Sequence, residues 1–397
     1  MVAFSVRMPR HVLYGQQSFD QLGKEAATCG SQALIISDRI MDDLGYVKEG
    51  TALLEQEGLS THVYLGIESE PTDRYVEEAL ALVEEHHIDV VIAIGGGSCI
   101  DTAKAVAVLA TNGGEISEYM GNKRVAKGEP LPLIAIPTTA GTGSEATDVT
   151  VITNTSNNVK MMIKQPAFLP RVSIVDPKLS STSPKSITAA TGVDALTHAI
   201  EAFISRRAQP FTDSLALEAI QLIVPALRQA YNNGEDLEAR EDMAYAAMLA
   251  GAAFSNASVC LVHGMSRPIG AVFHVPHGIS NAMLLPAILE YSKASCEKRL
   301  AKISRLLYPQ QKEKSEAEAM DYLVSEIKQL CSDLNIPNLK GWGIEEAQFE
   351  SVLDKMADDA LESGSPQNNP RVPDHEEIKA LYRTCFNYQF VNKHPVN

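Results

Sequence analysis

Positive charge is scarce in this sequence. The 34 Lys and Arg face 50 Asp and Glu, giving a formal net charge of −16 over 397 residues. Nucleic-acid binders draw most of their affinity from neutralising phosphates and need a basic face. No nucleic-acid partner is therefore expected, and an anionic membrane surface is an equally poor match. Long apolar runs are missing too. The longest candidate, residues 246–254, is Ala-rich, falls short of the ~18 residues of a membrane helix, and reads as a buried helix. The first ten residues lack the apolar stretch of a secretory signal. The six cysteines (Cys29, Cys99, Cys260, Cys296, Cys331, Cys385) form no C-x-x-C pair, which suits free thiols in a reducing compartment. These absences predict a soluble, cytoplasmic protein. With 45% hydrophobic and 21% charged residues, the composition excludes a disordered or collagen-like chain. At roughly 150 residues per domain, two or three domains are expected.

The two halves differ in grammar. Up to about residue 180, short apolar runs alternate with amphipathic helices, the pattern of a parallel sheet covered by helices. Strands are expected at 33–36, 61–64, 90–94 and 133–136, a helix at 74–85, and further strands with a hairpin around Asn157-Asn158 between 149 and 176. The 90–94 run is uniformly apolar, as a strand buried on both faces should be. Beyond Asp176-Pro177 nearly everything has helical period: 192–205, 211–231, 238–255, 277–307, 315–334 and 373–386. Ser183-Pro184 has the form of a helix start, with Ser as N-cap. The expected division is therefore an α/β domain over 1–183 and an all-α domain over 184–397. A crevice between such halves is a common place for a small-molecule site.

Gly95-Gly96-Gly97-Ser98 follows the buried strand and opens a helix expected over 101–109. Glycines let backbone N–H groups approach an anion, and the helix N-terminus favours negative charge, as of a pyrophosphate. The same spacing also suits a plain turn in which Ser98 and Asp101 form a capping pair. It is not the usual G-x-G-x-x-G, because Ile100 stands at the third glycine's place, and the acidic residue suited to a ribose, Asp38, lies upstream. A second cluster, Pro137 through Glu145, offers Thr138, Thr139, Thr142 and Ser144 around Gly141 and Gly143.

Asp194 and His198 are spaced i, i+4 and leave one helix face. His263 and His277 follow among Gly, Pro and apolar residues, where an unpaired imidazole would be an odd choice. Five other histidines have plain explanations. His86 and His87 end a helix, and His11, His62 and His394 read as surface or loop residues. Asp194 with His198 also suits an ordinary helix ion pair. As a set, three imidazoles and a carboxylate suit Fe²⁺ or Zn²⁺ and fit Mg²⁺ or Ca²⁺ poorly.

Together these segments resemble the iron-containing (group III) alcohol dehydrogenase family, of the dehydroquinate-synthase-like fold. The matching residues are Gly95 to Ser98 with Asp101 and Lys104, Pro137-Thr138-Thr139 with Gly143-Ser144-Glu145, and Gly192 through Ala199. His263-Gly264-Met265, Pro268 to Ala271, Pro276-His277-Gly278 and Asn369-Pro370-Arg371 complete the set. The resemblance implies a Rossmann-like nucleotide-binding domain, a helical metal-binding domain and hydride transfer between NAD(H) and a small alcohol, diol or hydroxy acid. It implies one divalent metal, Fe²⁺ before Zn²⁺, on Asp194, His198, His263 and His277, which acidifies the alcohol. It places Gly95, Gly96, Gly97, Ser98 and Asp101 at the pyrophosphate, with Thr138, Thr139 and Thr142 nearby, and Thr147, Lys160 and Leu179 against the cofactor. Asp38 falls at the adenosine ribose, and a homodimer or higher homo-oligomer is expected.

One position departs from the resemblance. Where relatives usually carry a second histidine, four residues after His263, this chain has Arg267, which stays protonated and relays no proton. His274 is the nearest histidine in sequence for that task. Two other readings remain open on sequence: a sugar-phosphate cyclase-type lyase of the same fold, and a nucleotide-binding scaffold without catalysis. The cyclase would call for a Glu/His/His ligand set, which this chain does not offer.

Overall fold

The computed structural model describes residues 3–157 and 159–390; Asn158 of the expected hairpin and His394 lie outside the described residues. Contacts divide the chain into two units: Met1–Ser183 with Glu235–Ser255, and Pro184–Gly234 with Asn256–Asn397.

The first unit is built on a six-stranded parallel sheet. Its strands are β1 (His11–Tyr14), β2 (Gln32–Ile36), β3 (Ser60–Tyr64), β4 (Val90–Gly95), β5 (Leu133–Pro137) and β8 (Val172–Val175). The order across the sheet is β1-β8-β5-β4-β2-β3, and β6 (Val149–Asn154) pairs antiparallel with β7 (Val159–Lys164) in a separate hairpin. β4 is buried along its whole length. Its alternate residues feed two cores. Val91 and Ala93 join Leu34, Ile36 and the helix Gly97–Asn112, whereas Val90, Ile92 and Ile94 join Ala33, Ile35, Phe19 and Leu22. The chain leaves β2 toward one edge and β4 toward the other, so the carboxyl ends of β2 and β4 flank a topological switch point. Register sets Gly95 beside Pro137 and Ile36 beside Ala93. That alignment brings three loops to one end of the sheet.

Residues 235–255 form most of the helix Leu237–Ala257 and group with the first unit, not with the helical 184–397 segment expected from sequence. The reason is a glycine contact. A Cβ on Gly251 would come within 2.5 Å of the Gly143 carbonyl oxygen, and Ser255 Oγ donates to Asp148 Oδ1 at 2.9 Å. Arg240 adds a bond to the carbonyl of Ser183 at 3.2 Å.

The second unit has no strand among its described residues. Three of its helices carry the metal-type ligands: Lys185–Ile204, Leu261–Phe273 and His277–Ser292. Several expected boundaries move. The first of these helices begins at Lys185, one residue beyond the start expected at Pro184, with Pro184 as N-cap in place of Ser183, because Pro184 holds an extended conformation (ψ 159°). The single helix expected over 277–307 is two, broken by a 3-10 turn at Lys293–Ser295. The helix Leu261–Phe273 was not expected at all, since Gly264, Pro268 and Gly270 argue against one. Packing favours it: Gly264 admits Pro366, where a Cβ would meet the ring at 2.8 Å, and Tyr382 Oη donates to the Met265 carbonyl at 2.7 Å. β1 was missed as well. His11 sits in this edge strand, exposed as a surface residue is expected to be, and paired with Glu25 at 3.0 Å.

Candidate metal centre and nucleotide cradle

Asp194 and His198 leave the buried face of Lys185–Ile204, His263 lies in the first turn of Leu261–Phe273, and His277 opens His277–Ser292. One ligand atom from each falls within 4.8 Å of the others. Asp194, His198 and His263 are buried, while the His277 side chain is 40% exposed and forms the open side of the cluster. Gly278 lets the third helix close in, since a Cβ there would sit 2.9 Å from the Ala190 carbonyl oxygen. Burial alone would raise the Asp194 pKa, but His198, His277 and His263 outweigh it and hold the carboxyl well below the usual range. For His263 burial opposes charge, and the carboxylates of Asp194 and Glu201 outweigh it, raising its pKa. A cation binding here would displace that proton.

Two residues that sequence reading did not single out reach the cluster. Asn281 Nδ2 lies 2.6 Å from Asp194 Oδ1 and 3.1 Å from both His263 Nε2 and His277 Nε2. An amide nitrogen has two hydrogens for these three acceptors, so the cluster presents more lone pairs than a neutral donor satisfies. That donor set fits a divalent cation of the Fe²⁺ or Zn²⁺ kind. Glu201 accepts from His263 Nδ1 at 2.7 Å. It stands seven residues after Asp194 on the same helix stripe, and an i, i+4, i+7 run of polar residues on an apolar helix was the signal available.

Arg267 lies one turn beyond His263 and is partly buried. Its Nη1 donates to Ser365 Oγ at 3.1 Å, and no carboxylate lies within ion-pair distance of it among the described residues. Burial pulls its pKa down to about 10, partly offset by Glu201, so the guanidinium remains charged at neutral pH. His274 is exposed, holds a left-handed conformation (φ 55°) at the end of the same helix, and is not part of the four-ligand cluster.

In the first unit the helix Gly97–Asn112 starts directly on the glycine turn, with Gly96 as N-cap and no side-chain cap. Ser98 is therefore inside the helix, and the Ser98/Asp101 capping pair does not form. Asp101 accepts instead from Ser144 Oγ at 2.5 Å and Val151 N at 2.8 Å. The Thr138 N–H donates to the Gly95 carbonyl at 3.1 Å, and Thr142 packs so closely that a Cβ on Gly97 would lie 3.1 Å from its methyl. Gly96, Gly97, Ser98, Thr139 and Thr142 keep partial exposure, whereas Thr138 and Thr147 are buried. Asp38 caps Arg39–Asp43 through Met41 N at 2.9 Å, and its other oxygen lies 3.6 Å from Cys99 Sγ. Thr147 is held by the buried Lys104, which also binds Ser144 Oγ at 2.9 Å and the Val149 carbonyl at 2.7 Å. Burial pushes that lysine down to about 8. Lys160 pairs with Glu70 at 2.6 Å, and Leu179 is fully buried in the sheet core.

Residues 9–177 match the iron-containing alcohol dehydrogenase family and residues 188–386 match the C-terminal part of the Fe-containing alcohol dehydrogenase family. The chain is 41% identical over 390 residues to long-chain-alcohol dehydrogenase 1 of Geobacillus thermodenitrificans, covering 97% of this chain and 96% of that one. It is 37% identical to the 1,3-propanediol dehydrogenase of Klebsiella pneumoniae, covering 96% and 99%. A solved 1,3-propanediol oxidoreductase superposes with a TM-score of 0.93 at 36% identity, covering 97% of this chain and all of that one. These likenesses favour neither the lyase nor the scaffold reading. The chain belongs to the iron-containing alcohol dehydrogenase family and is a metal-dependent alcohol oxidoreductase.

Proposed function

We propose that this enzyme interconverts small primary alcohols, diols or hydroxy acids with their aldehydes, using NAD(H) and one Fe²⁺ or Zn²⁺ held by Asp194, His198, His263 and His277. The observation that carries the reading is the convergence of those four ligand atoms within 4.8 Å. When bound, the cation supplies polarisation of the substrate oxygen and the nicotinamide supplies the hydride acceptor. The chain's own part is to hold them. Asp194 gives the one anionic ligand, the imidazoles give neutral ones, and the partly exposed His277 leaves an approach for substrate. In the first unit the uncapped N–H groups of Gly97 and Ser98 suit a pyrophosphate. At Gly96 the nearest protein atoms to a built Cβ are those of Thr139 at 3.7 Å, an ordinary contact. Close approach by a ligand explains glycine there better than packing does. Gly95, Thr138, Thr139 and Thr142 shape this cradle. Asp101, with both oxygens engaged, would support it from behind, as would Thr147 through Lys104; Lys160 and Leu179 are expected cofactor contacts.

Asp38 sits at the switch point where its carboxylate would accept from ribose hydroxyls and repel a 2′-phosphate. That arrangement favours NAD over NADP, and Asp38→Gly is expected to reduce the preference by about tenfold. A wild type that uses NADP as efficiently as NAD would remove Asp38 from the ribose. Arg267 holds a fixed positive charge for a substrate's anionic or polar tail, and His274 is exposed at the end of the same helix. The six free cysteines suit a cytoplasmic enzyme, and a homodimer or larger homo-oligomer is the expected assembly. Metal analysis of purified protein, then NADH consumption across a panel of aldehydes, tests the whole reading. Bound iron or zinc with turnover of short aldehydes is expected; metal-free protein with full turnover would overturn it.

A further inference from the structure

Glu201 lies one turn past His198 on the first ligand helix, outside the four-residue set, with a side chain only 2% exposed. A carboxylate taken out of water needs donors to offset its lost hydration. Glu201 has three: Val262 N at 2.6 Å on Oε1, and Cys260 N at 2.9 Å and His263 Nδ1 at 2.7 Å on Oε2. The two backbone groups belong to the start of Leu261–Phe273, where the first N–H groups have no intrahelical partner and no side chain of the helix caps them. So Glu201 closes that helix end from a neighbouring helix, with a charge of the sign the helix dipole favours.

The third bond bears on the metal centre. A carboxylate only accepts, so the proton in this bond resides on His263 Nδ1. Nε2 is then left with its lone pair, and Nε2 is the atom that faces Asp194 Oδ1 at 3.6 Å and Asn281 Nδ2 at 3.1 Å. We propose that Glu201 is a positioning residue of the metal centre, fixing His263 in the Nδ1–H tautomer with Nε2 aimed at the cation. The inference rests on the four-ligand reading above.

The test uses Zn²⁺ as probe for affinity and Co²⁺ for its absorption bands. Glu201→Gln should weaken Zn²⁺ binding by about 10–100-fold and shift the Co²⁺ bands. The thermal stabilisation gained on adding metal should shrink by more than the metal-free midpoint falls. In a His263→Ala background the same substitution should cost less than about twofold further, because the two residues act through one path. Undiminished Zn²⁺ affinity in Glu201→Gln, or an equal loss in the His263→Ala background, would leave Glu201 as a helix cap and overturn the proposal. Should Glu201→Gln fail to fold, ¹⁵N-histidine spectra of Zn²⁺-loaded wild type decide it: a His263 protonated on Nε2 overturns the assignment, and one protonated on Nδ1 supports it. Wild type that takes up no Zn²⁺ would instead remove the metal-site reading itself.

Discussion

The glycine turn of the first unit and the four-ligand cluster of the second are built from opposite materials. The turn is backbone: N–H groups at the start of Gly97–Asn112, with glycines where a side chain would intrude. The cluster is side chain: a buried carboxylate and imidazoles, with His263 held by Glu201 and Asp194, His263 and His277 in reach of Asn281. A backbone site depends on chain geometry and loses function when a side chain is added. A side-chain site depends on chemical identity and loses function when one is removed.

The largest expected break comes from the second kind. His198→Ala should lower turnover by about 10³-fold or more and deplete the bound metal, while NADH binding, measured by fluorescence, stays within about twofold of wild type. Full turnover without metal would end the assignment. Adding a side chain to the turn should do the reverse. A Cβ on Gly95 would meet Cys99 Sγ at 2.5 Å, so Gly95→Ala should strain the turn by roughly 1–3 kcal/mol and weaken NADH binding, with metal content unchanged. Loss of metal in that variant would dissolve the distinction between the two sites.

A smaller effect concerns a buried carboxyl behind the turn. Burial pushes Glu145 up to about 7, with Lys104 only partly offsetting it. Its folded-state pKa is raised, so the stability it contributes is fully present below about pH 4.5 and is lost as pH rises through about 7. Wild type should lose on the order of 2 kcal/mol between about pH 5 and pH 8 from this group. Glu145→Gln should show a shallower fall in urea midpoints across that range; parallel curves would mean the carboxyl does not titrate there. The smallest effect is one of substrate choice. Arg267→His should raise the Michaelis constant for a short hydroxy acid by about tenfold, against little change for butanol, since a charged hydrogen bond contributes about 1.5–3 kcal/mol. Equal changes for both would leave Arg267 as a packing partner of Ser365.

Legibility in the sequence followed the same division. β4 and the turn were readable because a uniformly apolar run ending in glycines has few alternatives. The i, i+4 pair Asp194 and His198 was readable because helix geometry is local. β1 was not: four half-exposed residues carry no alternation, and their partner β8 lies about 160 residues away. The helix Leu261–Phe273 was hidden by Gly264, Pro268 and Gly270, whose costs are outweighed by contacts with Pro366 and Tyr382 that no local pattern reveals. Asp101 was placed at the pyrophosphate by resemblance, and its carboxylate is committed to Ser144 and Val151. Glu201 escaped because its partners, Cys260, Val262 and His263, are about 60 residues downstream.

The contact between Gly143 and Gly251 also bears on how the protein is made. The first unit includes Glu235–Ser255, so it is interrupted by residues 184–234. On the ribosome, the loop at Gly143 and the buried Asp148 wait for about 100 further residues before Gly251 and Ser255 emerge to cover them. A fragment ending at Ser183 would lack that cover whatever the quality of its sheet. Expressed alone, the sheet should be prone to aggregation, and supplying residues 235–255 through a short linker should restore it.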